Sequence, residues 1–236
     1  MFETPSLRLP LIAPSQAQKH VTVNEALGRI DALAQLVLLS RGATVPPGSP
    51  AEGACHAVPA GATGEWSGQA GRIAIFRAGG WDFVTPQAGW RAWLADEGRE
   101  AIFAGGEWRP GLMARSPFGA MATWRVIEFD HVVTAGTTNT TAAMIPSAAM
   151  VFCASARVVT AITGTLTTWQ LGQTGSADRF GSGLGKAVGS YATGLLGSPA
   201  AYLPASLLLT ATGGAFAAGG MVRIAVHVVE LTPPGA

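Results

Sequence analysis

Trp124-Arg125-Val126-Ile127-Glu128-Phe129-Asp130-His131-Val132-Val133 decides the fold class. Apolar and polar residues alternate along it, with Ile127 and Phe129 on one side and Glu128 and Asp130 on the other. A period of two belongs to a strand with one buried face, whereas a helix needs apolar residues three and four apart. Four later runs, 149–162, 165–171, 206–211 and 221–231, read as further strands. Gly213-Gly214 and Gly219-Gly220 mark turns, and the Gly/Ser-rich stretch 172–197 reads as an excursion from the sheets. Strands at this spacing predict a β-sandwich over residues 112–236, jelly-roll-like in its arrangement.

Upstream, residues 43–111 hold an internal repeat. Trp66, Gly71-Arg72, Ala74-Ile75-Phe76, Gly79 and Trp81 recur as Trp93, Gly98-Arg99, Ala101-Ile102-Phe103, Gly106 and Trp108, at an offset of 27 residues. Each copy places a glycine turn (Gly79-Gly80, Gly105-Gly106) after a strand-like run (72–76, 100–103), the pattern of a β-hairpin. Two copies make a small duplicated hairpin module and are too few for a solenoid. Trp81, Trp90, Trp93 and Trp108 are candidate glycan contacts, because indole faces stack on the apolar faces of sugar rings. The competing reading is that Trp at equivalent repeat positions plug two similar small cores. Trp90, whose equivalent position is Thr63, is the one expected to be exposed.

Residues 1–42 precede a Pro-rich linker over 43–53. Pro10 and Pro14 predict an extended arm over residues 7–16. Thr22-Val23-Asn24-Glu25 has the form of a capping box, with Gly42 as a stop. Between them Val23, Leu27, Ile30, Ala34 and Val37 follow a 4-3-4-3 spacing, which predicts an amphipathic helix of about five turns. That stripe either packs on its own domain or forms a seam with copies of itself; two heptads are too few to define a coiled coil.

Charged residues make up 12% of the chain, about half of the roughly 25% usual in soluble domains. Such a surface points to packing against neighbours; the competing reading is a Gly/Ala-rich genome bias, which thirteen Arg against two Lys fits equally well. The net charge of +1 and the lack of a basic stripe exclude an electrostatic nucleic-acid footprint. No apolar run reaches the roughly 18 residues of a membrane span, and Met1-Phe2-Glu3-Thr4-Pro5 lacks the basic start of a secretory signal. The chain is therefore expected in the cytoplasm, leaving only as part of an assembly. Cys55 and Cys153 make neither a disulfide framework nor a zinc site by themselves.

Catalytic patterns are scarce. Gly181-Ser182-Gly183-Leu184-Gly185-Lys186 falls short of a phosphate loop, since Phe180 and Ala187 stand where Gly and Ser/Thr are needed. His20, His56, His131 and His227 have no metal spacing, so neither metal nor cofactor is expected. Glu128 and Asp130 share a strand face about 7 Å apart, within reach of an inverting glycosidase pair, but any exposed i, i+2 acidic pair has that separation.

The run Leu9-Pro10-Leu11-Ile12-Ala13-Pro14-Ser15-Gln16-Ala17-Gln18-Lys19-His20-Val21-Thr22-Val23-Asn24-Glu25-Ala26-Leu27, followed by Arg29-Ile30-Asp31-Ala32-Leu33, resembles the opening of a protein family of alphaproteobacterial prophages and gene transfer agents. The runs 46–53, Ala62-Thr63-Gly64-Glu65-Trp66 and Gly89-Trp90-Arg91-Ala92-Trp93 extend the resemblance over residues 7–110. It implies a component of a phage-like particle, either a head spike or a tail-fibre-associated part. It also implies a homo-oligomer, trimer or pentamer, in contact with other particle proteins and with host surface polysaccharide. No catalytic residues come with it. The expected function is thus a non-enzymatic spike or fibre subunit that contributes to attachment. Two alternatives remain: a purely architectural base or decoration protein, and a particle-borne polysaccharide depolymerase using Glu128 and Asp130.

Overall fold

The computed structural model describes residues 3–12, 19–195 and 203–234. The chain is mainly β with one α-helix, and it divides into two compact units, Met1–Leu112 and Met113–Ala236.

The first unit contains helix α1 (Lys19–Ala34) and seven strands: β1 (Val37–Leu38), β2 (Cys55–Ala57), β3 (Ile73–Arg77), β4 (Gly80–Val84), β5 (Arg91–Leu94), β6 (Arg99–Ala104) and β7 (Glu107–Pro110). They form two sheets, in orders β2-β3-β4 and β1-β5-β6-β7. The 27-residue repeat is a repeat of structure at its hairpins. Phe76 pairs with Trp81 across β3 and β4, and Phe103 with Trp108 across β6 and β7. The turns correspond as well: Ala78-Gly79 and Gly105-Gly106 all have positive φ, as a two-residue hairpin turn of this hand requires. Ala78 tolerates φ 49° where its counterpart is glycine, and its amide donates to the Glu52 carboxylate at 3.0 and 3.1 Å. The correspondence stops at the leading tryptophans. Trp66 sits fully buried in a 3-10 turn (Gly64–Trp66), whereas Trp93 lies on β5 and is 49% exposed.

The N-terminal segment departs from the sequence expectation. Residues 3–10 close into a loop through a bridge between Glu3 and Pro10, not an extended arm; residues 13–16 of that arm lie outside the described residues. The helix begins by Lys19, so Thr22 is inside it and does not cap it. It ends at Ala34, well before Gly42, and Val37 belongs to β1, where it pairs in parallel with Trp93. Leu36 and Leu38 are buried in the sheet core, and that burial favours an extended segment over another helical turn.

The second unit contains β8 (Leu112–Arg115), β9 (Met121–Val132), β10 (Thr138–Thr140), β11 (Ala149–Thr160), β12 (Thr168–Gln173), β13 (Ser176–Leu184), β14 (Tyr191–Leu195), β15 (Leu208–Thr212) and β16 (Met221–Thr232). Two sheets, β14-β11-β16-β9-β8 and β10-β15-β12-β13, enclose one core. Among the last eight strands, β9 pairs with β16, β10 with β15, β11 with β14 and β12 with β13. This is a long hairpin rolled upon itself, the jelly roll. On β9, Ile127 is buried while Glu128 and Asp130 face out, as their alternation requires.

The Gly/Ser-rich stretch is not an excursion: it forms β13 and β14, and its last two residues lie outside the described residues. Its glycines have a packing role. A Cβ on Gly194 would lie 1.9 Å from the Phe180 carbonyl oxygen, and one on Gly172 would lie 2.1 Å from that of Ser176. Backbones approach too closely there for any side chain. Gly181 and Gly183 lie on β13, so the run that resembled a phosphate loop is largely strand, and Lys186 donates to the Leu166 carbonyl at 2.8 Å. Cys55 and Cys153 are both free.

Candidate functional site

Helix α1 is amphipathic in an inverted sense. The face toward its own unit is polar and small, carrying Asn24, Gly28, Asp31 and Ala32. Asp31 is 2% exposed and organises the N-terminal loop: the Thr4 hydroxyl donates to it at 2.6 Å, and the Ser6 and Leu7 amides donate at 3.0 and 2.5 Å. Burial alone would raise its carboxyl pKa, but these hydrogen bonds outweigh burial and hold it below the ordinary range. Asn24 exchanges two hydrogen bonds with the backbone of Ile12, at 2.9 and 3.1 Å. Gly28 has no side chain because the Arg77 guanidinium occupies that space, 2.4 Å from where a Cβ would stand. Arg29 donates to both Asp82 oxygens, at 3.0 and 3.2 Å, and Arg77 lies 3.7 Å from the same carboxylate. Small residues and charge pairs thus attach the helix to the β3–β4 hairpin.

The apolar stripe is left outside. Val23 is 39% exposed, Ile30 53% and Val37 43%; Ala34 is exposed and Leu27 half-buried. Two of the tryptophans join this surface. Trp90 lines a hollow of 360 Å³ with Leu33, Ala34, Gly89 and Arg91. Trp93 projects from β5 beside Val37, with Glu100 opposite it on β6 and an Arg91–Glu100 ion pair at 2.7 Å. The most exposed tryptophan of the repeat region is therefore Trp93. Trp90, expected to be the exposed one, is half-buried against the core because Leu33 and its neighbours cover it.

The remaining candidates lie elsewhere. Trp81 is in an aromatic cluster with Trp66, Phe76 and His56, at ring separations of 5.1, 5.2 and 5.9 Å. Trp108 is 7% exposed and packs on Phe103 at 5.3 Å. One edge of Trp108 borders a groove of 480 Å³ that also takes in Arg41, Glu107 and Gly71. Beside that groove Arg41 and Arg99 both donate to Glu97, and these bonds more than offset the effect of burial, keeping its carboxyl below the ordinary range. Asp130, one of the two carboxylates of the depolymerase reading, is held by two 2.8 Å hydrogen bonds from Arg223, which lower its pKa. Among the described residues no group of three His, Cys, Asp or Glu is placed to hold a metal ion. Nor is any helix there long and apolar enough to cross a membrane.

Residues 23–109 match a family described as "Protein of unknown function (DUF2793)". That match covers the outward stripe of α1, both hairpins and all four candidate tryptophans, and it stops short of the jelly roll. No curated protein matches the chain. A solved structure titled "Cyanophage Pam1 capsid asymmetric unit" is similar at 25% identity, over 50% of this chain and 92% of that chain, with a TM-score of 0.28. A superposition that loose carries no argument about this fold.

Two features of the site escaped sequence reading. Asp31 and Gly28 hold the helix in place, and their signal is a second 4-3 spacing, Asn24-Gly28-Asp31, interleaved with the apolar one. Both spacings define a helix face, and hydrophobicity alone selects the wrong one as the buried face.

Proposed function

We propose that this protein is a non-enzymatic structural subunit of a phage-like particle, of the prophage or gene-transfer-agent kind, acting as a spike or fibre component. The outward apolar face of α1 is its contact with other copies or with neighbouring particle proteins. One observation carries this reading: the helix turns its small and charged residues inward and leaves Val23 and Ile30 in water. A contiguous exposed apolar surface of this kind marks an interaction site. The resemblance of residues 9–33 to the opening of phage-particle proteins supports it, as does the 12% charged composition.

The double variant Val23→Glu/Ile30→Glu tests the contact. Placing two carboxylates in an apolar seam weakens association about 10–100-fold, while exposed positions leave the fold intact. Light scattering should show the mass falling toward the 24.1 kDa of one chain. An unchanged mass would remove this surface from the assembly.

Attachment to bacterial surface polysaccharide is the finer part of the proposal. Trp93, with the Arg91–Glu100 pair beside it, is the contact that exposure favours. The architectural reading has its own support, because Trp81, Trp90 and Trp108 are packed against protein. Gel filtration with host capsular polysaccharide separates the readings. Co-elution that Trp93→Ala abolishes favours attachment; no co-elution favours architecture; a fall in polysaccharide mass would make the protein a depolymerase.

A further inference from the structure

The outward face of the five-stranded sheet is a second unpartnered surface, on the other compact unit. Its inner face is closed by the core, with Val222, Ile224, Val226 and Val228 of β16 all fully buried. The outer face is ordered in rows across β9, β16, β11 and β14. Trp124 aligns with Val229 and Met150, and the next row starts at Val126. Glu128 then aligns with Ala225, Ser155 and Thr193, and Asp130 with Arg223, Arg157 and Tyr191. Trp124 is 42% exposed, Val126 49%, Met150 38% and Tyr191 64%. Trp124 stacks on Phe152 at 5.2 Å, which fixes one end of the face as a broad apolar plate.

The charges on this face identify its occupant. Two acids and two arginines cancel. Arg223 and Asp130 satisfy each other, which leaves Glu128 on β9 and Arg157 on β11 outside any ion pair among the described residues. Arg157 rests instead over the Tyr191 ring at 5.8 Å. Glu128 is near enough to Arg223 to act on its charge but is not paired with it. A face with an acid on one side and a base on the other is complementary to itself across a two-fold axis. Its size is suitable. Four strands about 4.8 Å apart, the three longest of 12 residues, give a plate of about 600–700 Å², close to the roughly 800 Å² per partner of a stable interface.

We infer that this face binds the same face of a second copy of the chain about a two-fold axis, so that Arg157 of each subunit meets Glu128 of the other. Such a contact carries the ion pair twice and closes as a dimer. The inference does not depend on the helix seam proposed above, and the two surfaces can be broken separately.

Sedimentation of the full chain is measured for the wild type, Glu128→Arg, Arg157→Glu and the double exchange. Either single exchange sets like charges against each other and should weaken association at least tenfold. The double exchange restores the pair and should return affinity to within about threefold of the wild type. Both positions are exposed, and unchanged thermal unfolding verifies that the variants fold. A monomeric wild type overturns the inference, as do single exchanges without effect or a double exchange no better than the singles. If Val23→Glu/Ile30→Glu abolishes association while Glu128→Arg leaves it intact, the helix seam stands and this one falls. If Glu128→Arg alters polysaccharide co-elution but not mass, the face is a glycan site and the inference is wrong.

Discussion

Asp31→Ala should release residues 3–10 from the first unit and destabilise that unit by about 3 kcal/mol. Three donors, the Thr4 hydroxyl and the Ser6 and Leu7 amides, converge on one buried carboxylate. Hydrogen bonds to a charged group contribute about 1.5–3 kcal/mol each, and losing the acceptor leaves the buried Thr4 hydroxyl without its acceptor. Part of the cost is recovered, because the freed loop regains backbone entropy and the amides reach water. The readout is hydrogen exchange at the Ser6 and Leu7 amides, which should become unprotected in the variant. Protection unchanged from the wild type would show that the loop is held by other contacts.

The same carboxylate fixes a pH dependence. Its folded pKa lies below the unfolded value of about 3.9, so its contribution is complete above that value and is lost as pH falls through the folded pKa. The loop should therefore stay closed at neutral and mildly acidic pH and open only in strong acid. In Asp31→Ala this acid-dependent step should vanish. Opening of the wild-type loop near pH 6 would point to a different group.

Trp169→Ala should have the largest effect on the second unit, about 3–5 kcal/mol. The side chain is fully buried on β12 in the core of the jelly roll, and its indole N–H donates to the Gly185 carbonyl at 2.8 Å. Truncation leaves a cavity and an unpaired carbonyl together. For a unit of this size the expected loss of Tm is roughly 10–25 °C. Trp169→Phe retains most of the apolar volume and loses only the hydrogen bond, so it should cost about 1–2 kcal/mol. Equal effects of the two variants would mean that packing contributes little at this site. In both variants, exchange protection of the β3–β4 and β6–β7 hairpins should stay at wild-type levels if the two units unfold independently.

The jelly roll was legible where side chains alternate. Residues 124–133 placed β9 and its two faces because Ile127, Glu128 and Asp130 differ in polarity at a period of two. The 172–197 stretch was not legible, since Gly and Ser have no apolar signature. What places β13 and β14 is the lack of a side chain at Gly172 and Gly194, which allows backbone to meet backbone. The second hairpin was legible from its Gly105-Gly106 turn; in the first, the expected Gly79-Gly80 turn is displaced by one residue to Ala78-Gly79, because Gly80 pairs with Arg77 in the ladder. The fates of Trp66 and Trp93 were not legible, because equivalent positions in a repeat need not share neighbours. At the N-terminus, the apolar spacing named the stripe but not its direction. Only the partners of Asp31 and Gly28 show that the polar stripe is the docked one.

The inverted attachment of α1 has a thermodynamic consequence. The helix is joined to its unit through carboxylates, guanidinium groups and a glycine, with Ala32 buried and Leu33 packed over Trp90 as its apolar contacts. Peeling it away wets Ala32, Leu33 and one side of Trp90, far less hydrocarbon than unfolding either core. Such an opening has a small heat-capacity change and responds weakly to urea, unlike unfolding of either core. It can occur as a local event well below the global unfolding free energy. The segment can thus detach at a modest cost in apolar exposure while the two cores stay folded.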